Sequence, residues 1–351
     1  MTQEKIKKRV VVICPGRGTY NKEDLGYLQR LHSDKTEIVE GIDAYRKEKR
    51  QVSIKELDAA EQYSMRKHTA GENASALIYA CAISDFQSIN QDEYDVVAVT
   101  GNSMGWYIAL AAAGALHSQA AIELINTMGS MMTSGIVGGQ MIYPITDENW
   151  VLDQQVIKIT EQALANANKV VGCEVYVSIR LGGYVVFGGN KKGLKTLEQA
   201  LPKVQDRYPM NLFNHAAFHT PLLTETSEKA KCLLPSNLFT APSVPLIDGL
   251  GQIWQPYSCN PQQLYDYTLG RQVTDTYDFT KAIEVAVKEF APDKLIVLGP
   301  GATLGGAVAQ SLIQHKYLGM QNKRDFIALQ KSDPFILAMG LEEQRKLVEF
   351  N

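Results

Sequence analysis

Apolar and polar residues follow one another in blocks that predict strands and helices in alternation. The run RVVVIC (residues 9–14) has the continuous β-branched character of a buried strand, and the turn PGRGTY follows it. Residues 22–90 are mostly helical in period, and DVVAVT (residues 95–100) is a second buried strand that leads into the helical stretch WYIALAAAGAL. A further helix is predicted over residues 120–132, and KLIVLGPGATLGGAV (residues 294–308) adds a strand, a turn and a helix. This alternation predicts an α/β domain with a parallel sheet.

The middle of the chain has a different pattern. MIYPI, VIKITEQALANAN, EVYVSI, YVVFGG and KKGLKTLEQAL give the order strand, helix, strand, strand, helix. That order is typical of a small ferredoxin-like α+β unit. We therefore predict a large, hydrolase-like α/β domain built from residues 1–139 and 208–351 of the 351 residues, with a ferredoxin-like subdomain inserted over residues 140–207.

Composition narrows the range of functions. Hydrophobic residues make up 45% and charged residues 21% of the chain, and the net charge of −3 gives no reason to expect nucleic acid as a partner. No apolar run reaches the roughly 18 residues that span a bilayer. The five dispersed cysteines indicate reduced thiols in the cytoplasm. We also expect a monomer. We expect no bound metal, because Pro221 argues against a helix that would carry both His215 and His219 as ligands.

Candidate chemistry lies in the stretch TGNSMGWYIAL (residues 100–110), at the junction of a predicted strand and helix. A serine between two glycines at such a junction is typical of a nucleophile elbow, in which a sharp turn exposes the serine Oγ. Ser103 then needs a base, and the downstream candidates are His215, His219 and His315. An ordinary α/β-hydrolase places its histidine close to the C-terminus, whereas here a strand, a GPG turn and a helix follow His219.

Four motifs in order resemble those of the malonyl-CoA:acyl carrier protein transacylases, the family that includes the polyketide-synthase acyltransferase domains. CPGRGTY is similar to the family's FPGQGSQ, and TGNSMGWYIALAAAGAL is similar to its GHSLGE–Y–AL–AGAL. NHAAFHTPLL resembles its S-x-x-FHSPLM segment, and IVLGPGATLGGAV resembles its E-x-GPG-x-x-L-x-G stretch. Weaker similarity continues through VPLIDGL and LGRQVTDTYDF, where the family has a strand and a Q-L-x-x-P-V-x-W segment.

The resemblance assigns a role to individual residues. It implies that Ser103 is the nucleophile, that His219 is its base, and that the backbone N–H groups of Met104 and Arg17 form the oxyanion hole. The acyl group would pass from coenzyme A to the serine and then to the phosphopantetheine thiol of an acyl carrier protein. No tightly bound cofactor is implied, since acyl-CoA and the carrier protein are substrates.

The resemblance also implies that a main-chain carbonyl in VPLIDGL orients the histidine. Gly249 or Asp248 would supply that carbonyl.

Departures from the family pattern fall on residues that we expect to bind the substrate, namely Asn102, Met128 and Arg180. Asn102 stands where the family has histidine, and Met128 stands where the family has the arginine that pairs with the malonyl carboxylate. A thioether cannot form that pair. Arg17, or Arg180 in the predicted subdomain, would have to supply the charge. The sequence therefore predicts an acyl carrier protein S-acyltransferase that moves malonyl if one of these arginines reaches the acyl group, and otherwise a small uncharged acyl such as acetyl.

Two other functions stay open at this point. The same dyad would act as an acyl thioesterase if water reached the acyl-serine. A decayed site would leave a non-catalytic docking protein of a fatty-acid or polyketide assembly, although the presence of both Ser103 and His219 argues against decay.

Overall fold

Eleven strands of the described residues form two β-sheets. The computed structural model describes residues 6–131 and 135–350. The strands in this part of the chain are β1 (Lys8–Cys14), β2 (Tyr94–Gly101), β3 (Gly139–Pro144), β4 (Val175–Leu181), β5 (Tyr184–Gly189), β6 (Met210–Leu212), β7 (Leu246–Ile247), β8 (Ile253–Trp254), β9 (Tyr277–Asp278), β10 (Lys294–Val297) and β11 (Ile336–Ala338).

The larger sheet has the strand order β11-β10-β1-β2-β7-β8. Its first five strands pair in parallel, and only β8 runs antiparallel to its neighbour β7. The apolar residues that predicted β1 lie at the centre of this sheet, where Val10, Val11, Val12 and Ile13 are fully buried. A parallel sheet with helices on its faces buries both sides of its strands, which explains why these strands are continuous apolar runs. The predicted α/β class is confirmed.

Helices cover the larger sheet and one face of the smaller one. They are α1 (Tyr27–Leu31), α2 (Thr36–Glu48), α3 (Ile54–Asp58), α4 (Met65–His68), α5 (Gly71–Gln87), α6 (Gly105–Ala112), α7 (Ser118–Ser130), α8 (Gln154–Ala167), α9 (Lys191–Ala200), α10 (Thr224–Leu233), α11 (Pro261–Leu269), α12 (Arg271–Thr274), α13 (Phe279–Phe290), α14 (Leu304–Gln314), α15 (Lys323–Ser332) and α16 (Glu342–Arg345). Within the described ranges, none of them combines the length and the apolar character needed to span a bilayer.

The smaller sheet has the order β6-β3-β5-β4-β9. Its first four strands pair antiparallel, and with α8 and α9 they form the predicted ferredoxin-like unit around a separate apolar core that includes Tyr143 and Phe187. The range expected for the insert, residues 140–207, begins one residue inside β3 and ends before β6. The fifth strand, β9, comes from a distant part of the chain and pairs in parallel with β4.

The predicted helix over residues 120–132 is α7, which begins slightly earlier, at Ser118. The last residue of that prediction, Met132, lies outside the described residues. α6 ends at Ala112, several residues before the end of the apolar stretch that predicted it, because Gly114 follows with a φ of 74°, which ends the helix.

A buried charged cluster joins the helical N-terminal half to the far end of the described chain. The carboxylate of Asp85, on α5, is fully buried and lies 2.7 Å from His32 Nε2 and 2.5 Å from Arg345 Nη2. It also accepts hydrogen bonds from the Tyr27 hydroxyl and from the Gly299 N–H. Burial alone raises the pKa of Asp85, but the hydrogen bond from His32 and the charge of Arg345 outweigh it and hold that pKa below its usual value.

Candidate active site

Ser103 lies on a tight turn between β2 and α6. Its φ is +57°, in the left-handed region that side chains other than glycine rarely adopt. The two flanking glycines are required by close contacts, since a Cβ on Gly101 would lie 2.2 Å from the Gly105 oxygen and a Cβ on Gly105 would lie 2.3 Å from the Cys14 oxygen. The turn is therefore packed directly against the end of β1. This is the geometry of a nucleophile elbow, with the serine just before the N-terminus of α6.

Ser103 and His219 form a hydrogen-bonded dyad. The Ser103 Oγ lies 2.8 Å from His219 Nε2, and His219 Nδ1 lies 2.6 Å from the carbonyl oxygen of Gln272. A carbonyl only accepts, so Nδ1 carries the proton and Nε2 of the neutral ring is the acceptor that faces the serine hydroxyl. This is the tautomer that a general base requires.

Burial keeps this histidine neutral. His219 is almost fully buried, and this burial lowers its pKa to about 4, although the hydrogen bond to Gln272 offsets part of the effect. At neutral pH the ring is therefore unprotonated and able to accept the serine proton.

The residue that orients His219 is Gln272, on the short helix α12. The expectation that Gly249 or Asp248 supplies the orienting carbonyl is wrong, because His219 Nδ1 donates to the Gln272 carbonyl, and the Gly249 and Asp248 carbonyls bind other donors. The Gly249 oxygen accepts from the Asp278 N–H at 2.6 Å, and the Asp248 oxygen accepts from the Gly251 N–H at 3.0 Å. The weak match of LGRQVTDTYDF to the Q-L-x-x-P-V-x-W segment places the motif's glutamine on Gln272, and it is the sequence signal that could have found this residue.

Two main-chain N–H groups are available to an oxyanion beside the dyad. Met104 is the N-cap residue of α6, and Arg17 lies in the turn after β1. Among the hydrogen bonds of the described residues, neither backbone N–H has a partner. The arrangement leaves both donors free for a charge that develops next to Ser103.

A small cavity opens beside the serine and measures about 30 Å³. The lining residues are Arg17, Ser75, Ser103, Met104, Tyr107, Ile125, Met128, Gly129, Phe218, His219 and Gln272.

The two arginines considered for a substrate carboxylate have different positions. Arg17 lines the cavity, and its Nη2 donates to the carbonyl oxygens of Thr69 and Asn214 at 3.0 and 2.8 Å. Its Nε is buried and has no partner among the described residues. Burial lowers the pKa of Arg17 to about 10, so the side chain stays charged at neutral pH.

Arg180 is elsewhere. Its side chain is 60% exposed, its Nε lies 3.6 Å from Asp278 Oδ2, and it lines a separate groove together with His315. Arg180 does not line the cavity beside Ser103, so the expectation that it supplies the charge for an acyl carboxylate is wrong in this geometry.

Two further candidates face away from the cavity. Asn102 packs behind the elbow, where a Cβ on Gly16 would come within 2.6 Å of its carbonyl oxygen, and it does not line the cavity. The predicted contact between Asn102 and the substrate thus has no support in this geometry. His215 Nδ1 lies 2.8 Å from Gln140 Oε1, which ties it to the smaller sheet. Burial, and then the charge of Arg17, lower the pKa of His215 to about 3.

Known proteins with similar sequences and folds are acyltransferases. No family model matches the chain. It is 23% identical over 303 residues to the polyketide biosynthesis malonyl CoA-acyl carrier protein transacylase PksC of Bacillus subtilis, covering 85% of this chain and 96% of that protein. A malonyl-CoA:acyl carrier protein transacylase (FabD) from Xanthomonas oryzae superimposes with a TM-score of 0.72 at 16% identity over 100% of both chains.

A third neighbour is a malonyl-transacylase in complex with a type II polyketide synthase acyl-carrier protein. It superimposes with a TM-score of 0.69 at 18% identity over 88% of this chain and 94% of that one. The structural neighbours share the fold. The sequence relatives and structural neighbours include malonyl-CoA:acyl carrier protein transacylases and a polyketide-synthase acyltransferase domain, in agreement with the resemblance first drawn from the four motifs.

Proposed function

We propose that the protein is an acyl carrier protein S-acyltransferase that works through an acyl ester on Ser103. The observation that carries this proposal is the 2.8 Å contact between Ser103 Oγ and the unprotonated Nε2 of His219 at the edge of a small cavity. The sequence relative named above supports it, because it is a malonyl CoA-acyl carrier protein transacylase.

The first half-reaction loads the serine. His219 Nε2 takes the Ser103 proton while Oγ forms a bond to the thioester carbonyl carbon. The Met104 and Arg17 N–H groups stabilise the negative charge that develops on the carbonyl oxygen. The carbon–sulfur bond then breaks, and the leaving CoA sulfur takes the proton from Nε2.

The second half-reaction runs the same steps with a different thiol. The phosphopantetheine thiol of the carrier protein gives its proton to Nε2 and attacks the ester carbon. The bond to Oγ breaks, and Ser103 recovers the proton. The structural neighbour bound to an acyl-carrier protein supports this partner.

We further propose that the protein acts as a monomer and that it works in the cytoplasm. Its free cysteines support the cytoplasmic location, since thiols stay reduced there.

The test follows the acyl group through both halves. Purified protein is mixed with acetyl-, malonyl- and longer acyl-CoA and weighed intact, and the loaded enzyme is then offered a phosphopantetheinylated carrier protein or pantetheine alone. We expect a mass gain on the enzyme and its transfer to the carrier thiol faster than its loss as free acid. Release of free acid only would make the protein a thioesterase, and the absence of any adduct with every acyl thioester would contradict the proposal.

The lowered pKa of His219 predicts activity that persists into mild acid. A base works only when unprotonated, so a pKa of about 4 leaves the rate of Ser103 acylation nearly flat from pH 8 to pH 5.5. A histidine with the usual pKa of about 6.5 would retain only about 3% of that rate at pH 5. Single-turnover acylation in brief pH pulses measures the profile. A midpoint near pH 6.5 in a folded protein would show that His219 is not held neutral.

We propose that the acyl group ends in a carboxylate and that Arg17 is its partner. Arg17 places a charged guanidinium with an unpaired Nε on the wall of the cavity that Ser103 shares. A carboxylate on the acyl chain would accept a hydrogen bond from that Nε. Met128 lines the same cavity and offers no such donor.

Replacing Arg17 by methionine should therefore change the choice of acyl group. A hydrogen bond to a charged group contributes roughly 1.5–3 kcal/mol, so the ratio of malonyl to acetyl loading should fall by about 10- to 100-fold. The lost bonds to Thr69 and Asn214 affect both substrates alike and cancel in the ratio. Arg180→Met is the matched control and should leave the ratio unchanged. A wild-type protein that loads malonyl, with the same ratio in Arg17→Met, would exclude Arg17 as the partner.

A further inference from the structure

We propose that the side-chain amide of Gln272 is a positioning group that holds the strained turn at Ser103 in register with His219. The inference rests on the proposed function in one respect: it assumes that the Ser103–His219 pair is the reacting centre. It goes further by assigning a role to a side chain, the Gln272 amide, which makes no contact with a reacting atom.

On the serine side, the amide of Gln272 supports the strained turn. Gln272 Nε2 donates to the Ser103 carbonyl oxygen at 3.1 Å. The same oxygen accepts the Trp106 N–H at 3.0 Å, so it has one partner inside the helix and one outside it. A residue held at a φ of +57° persists only where the surroundings fix it. The Gln272 amide therefore holds the Ser103 carbonyl from outside α6.

On the histidine side, the backbone around Gln272 makes two contacts. The Gln272 carbonyl accepts from His219 Nδ1 at 2.6 Å, and the next carbonyl, that of Val273, accepts the His219 backbone N–H at 2.7 Å. Both the ring and the main chain of the histidine are thereby tied to α12. One residue, Gln272, thus meets both partners of the 2.8 Å dyad contact.

The orientation of the amide is set by Tyr107. The Tyr107 hydroxyl donates to Gln272 Oε1 at 2.8 Å, which leaves Nε2 to face the Ser103 carbonyl. Tyr107 lies on α6 and is itself buried. Because Gln272 is also buried, an amide without these partners would carry unpaired polar atoms at a cost in stability. The chain from Tyr107 through Gln272 to Ser103 is therefore fully hydrogen-bonded in one orientation only.

The test uses a reagent that reports on the serine without any acyl thioester. A fluorophosphonate phosphonylates a serine activated by a histidine, and the rate is followed by intact mass. Gln272→Met keeps the backbone carbonyl for His219 but removes the amide, and we expect a maximal labelling rate about 100-fold below wild type, the size of effect that a misplaced nucleophile produces. The concentration of reagent at half-maximal rate should change little, because the amide does not bind the reagent.

Gln272→Glu supplies a signature that a packing role would not produce. An ionised carboxylate presents an acceptor to the Ser103 carbonyl, whereas a protonated carboxyl can donate there, and burial raises the pKa of such a group. Labelling of Gln272→Glu should therefore recover as the pH falls from 8 to 6, while Gln272→Met stays slow throughout. Tyr107→Phe, which frees the amide orientation without touching the serine, should slow labelling by a smaller factor.

Two outcomes would overturn the inference. One is a wild-type labelling rate in Gln272→Met with only the midpoint of thermal unfolding lowered. The other is a pH profile of Gln272→Glu that matches Gln272→Met. If Gln272→Met does not fold, Tyr107→Phe at the wild-type rate overturns it. If the fluorophosphonate labels the wild-type protein but no acyl-CoA loads it, the proposed function is refuted. The labelling rates of the variants can still be compared with wild type, so the role of Gln272 is tested in either case.

Discussion

Ser103→Ala should take up no acyl group from any acyl-CoA. The substitution removes the side-chain oxygen that contacts His219 Nε2, and loss of a nucleophile of this kind lowers the rate on the order of 10⁴- to 10⁶-fold. In wild type, the acyl adduct should map to the peptide that contains GNSMG. Intact mass and peptide mapping after a short incubation with acyl-CoA measure both results.

Cys14 is the competing nucleophile in this experiment. It ends β1 next to the elbow, but it is fully buried, and burial raises the pKa of its thiol well above the usual range. A thiol of this kind is inert. An adduct that persists on Cys14 in Ser103→Ala would disprove the assignment of the nucleophile.

His219→Ala should nearly abolish acylation of Ser103, while His215→Ala should leave most of it. His219 accepts the serine proton, and removal of a base in such an arrangement costs on the order of 10⁴-fold in rate. His215 instead bonds to Gln140 at 2.8 Å and does not line the cavity. The two histidines lie four residues apart in one loop, so each variant is the matched control of the other.

Single-turnover acylation rates measure this difference. The thermal unfolding midpoints of the two variants are measured alongside, to show that both are equally well folded. Equal losses in both variants, or a larger loss in His215→Ala, would mean that the base is misassigned.

The elbow was predictable because its determinants are local. A buried strand, two glycines and an apolar helix lie within 20 residues of Ser103, and each of the glycines is explained by a contact with neighbouring backbone. The ferredoxin-like unit was predictable for the same reason, since its elements follow one another along the chain.

The orientation of His219 depends on a contact that no local pattern contains. The Gln272 carbonyl lies 53 residues further along the chain, and a main-chain group does not itself require a particular side chain, so only the weak match to the family's glutamine pointed to this position. Arg180 shows a different limit. It was expected in the small subdomain, and the pairing of β4 with β9 places it beside Asp278 and outside the cavity. The pattern of apolar residues along a strand does not predict which charged residue of a distant segment will lie next to Arg180.

The cluster around Asp85 bears on when the protein can fold during its synthesis. Its cationic partner, Arg345, follows it by 260 residues. A carboxylate buried without that partner would be destabilising by several kcal/mol, and burial would favour its protonated form. A nascent chain lacks this cation until residue 345 has been synthesised. We therefore expect the packing of α5 around Asp85 to be less stable up to that point, with His32 as the nearby partner that is already present.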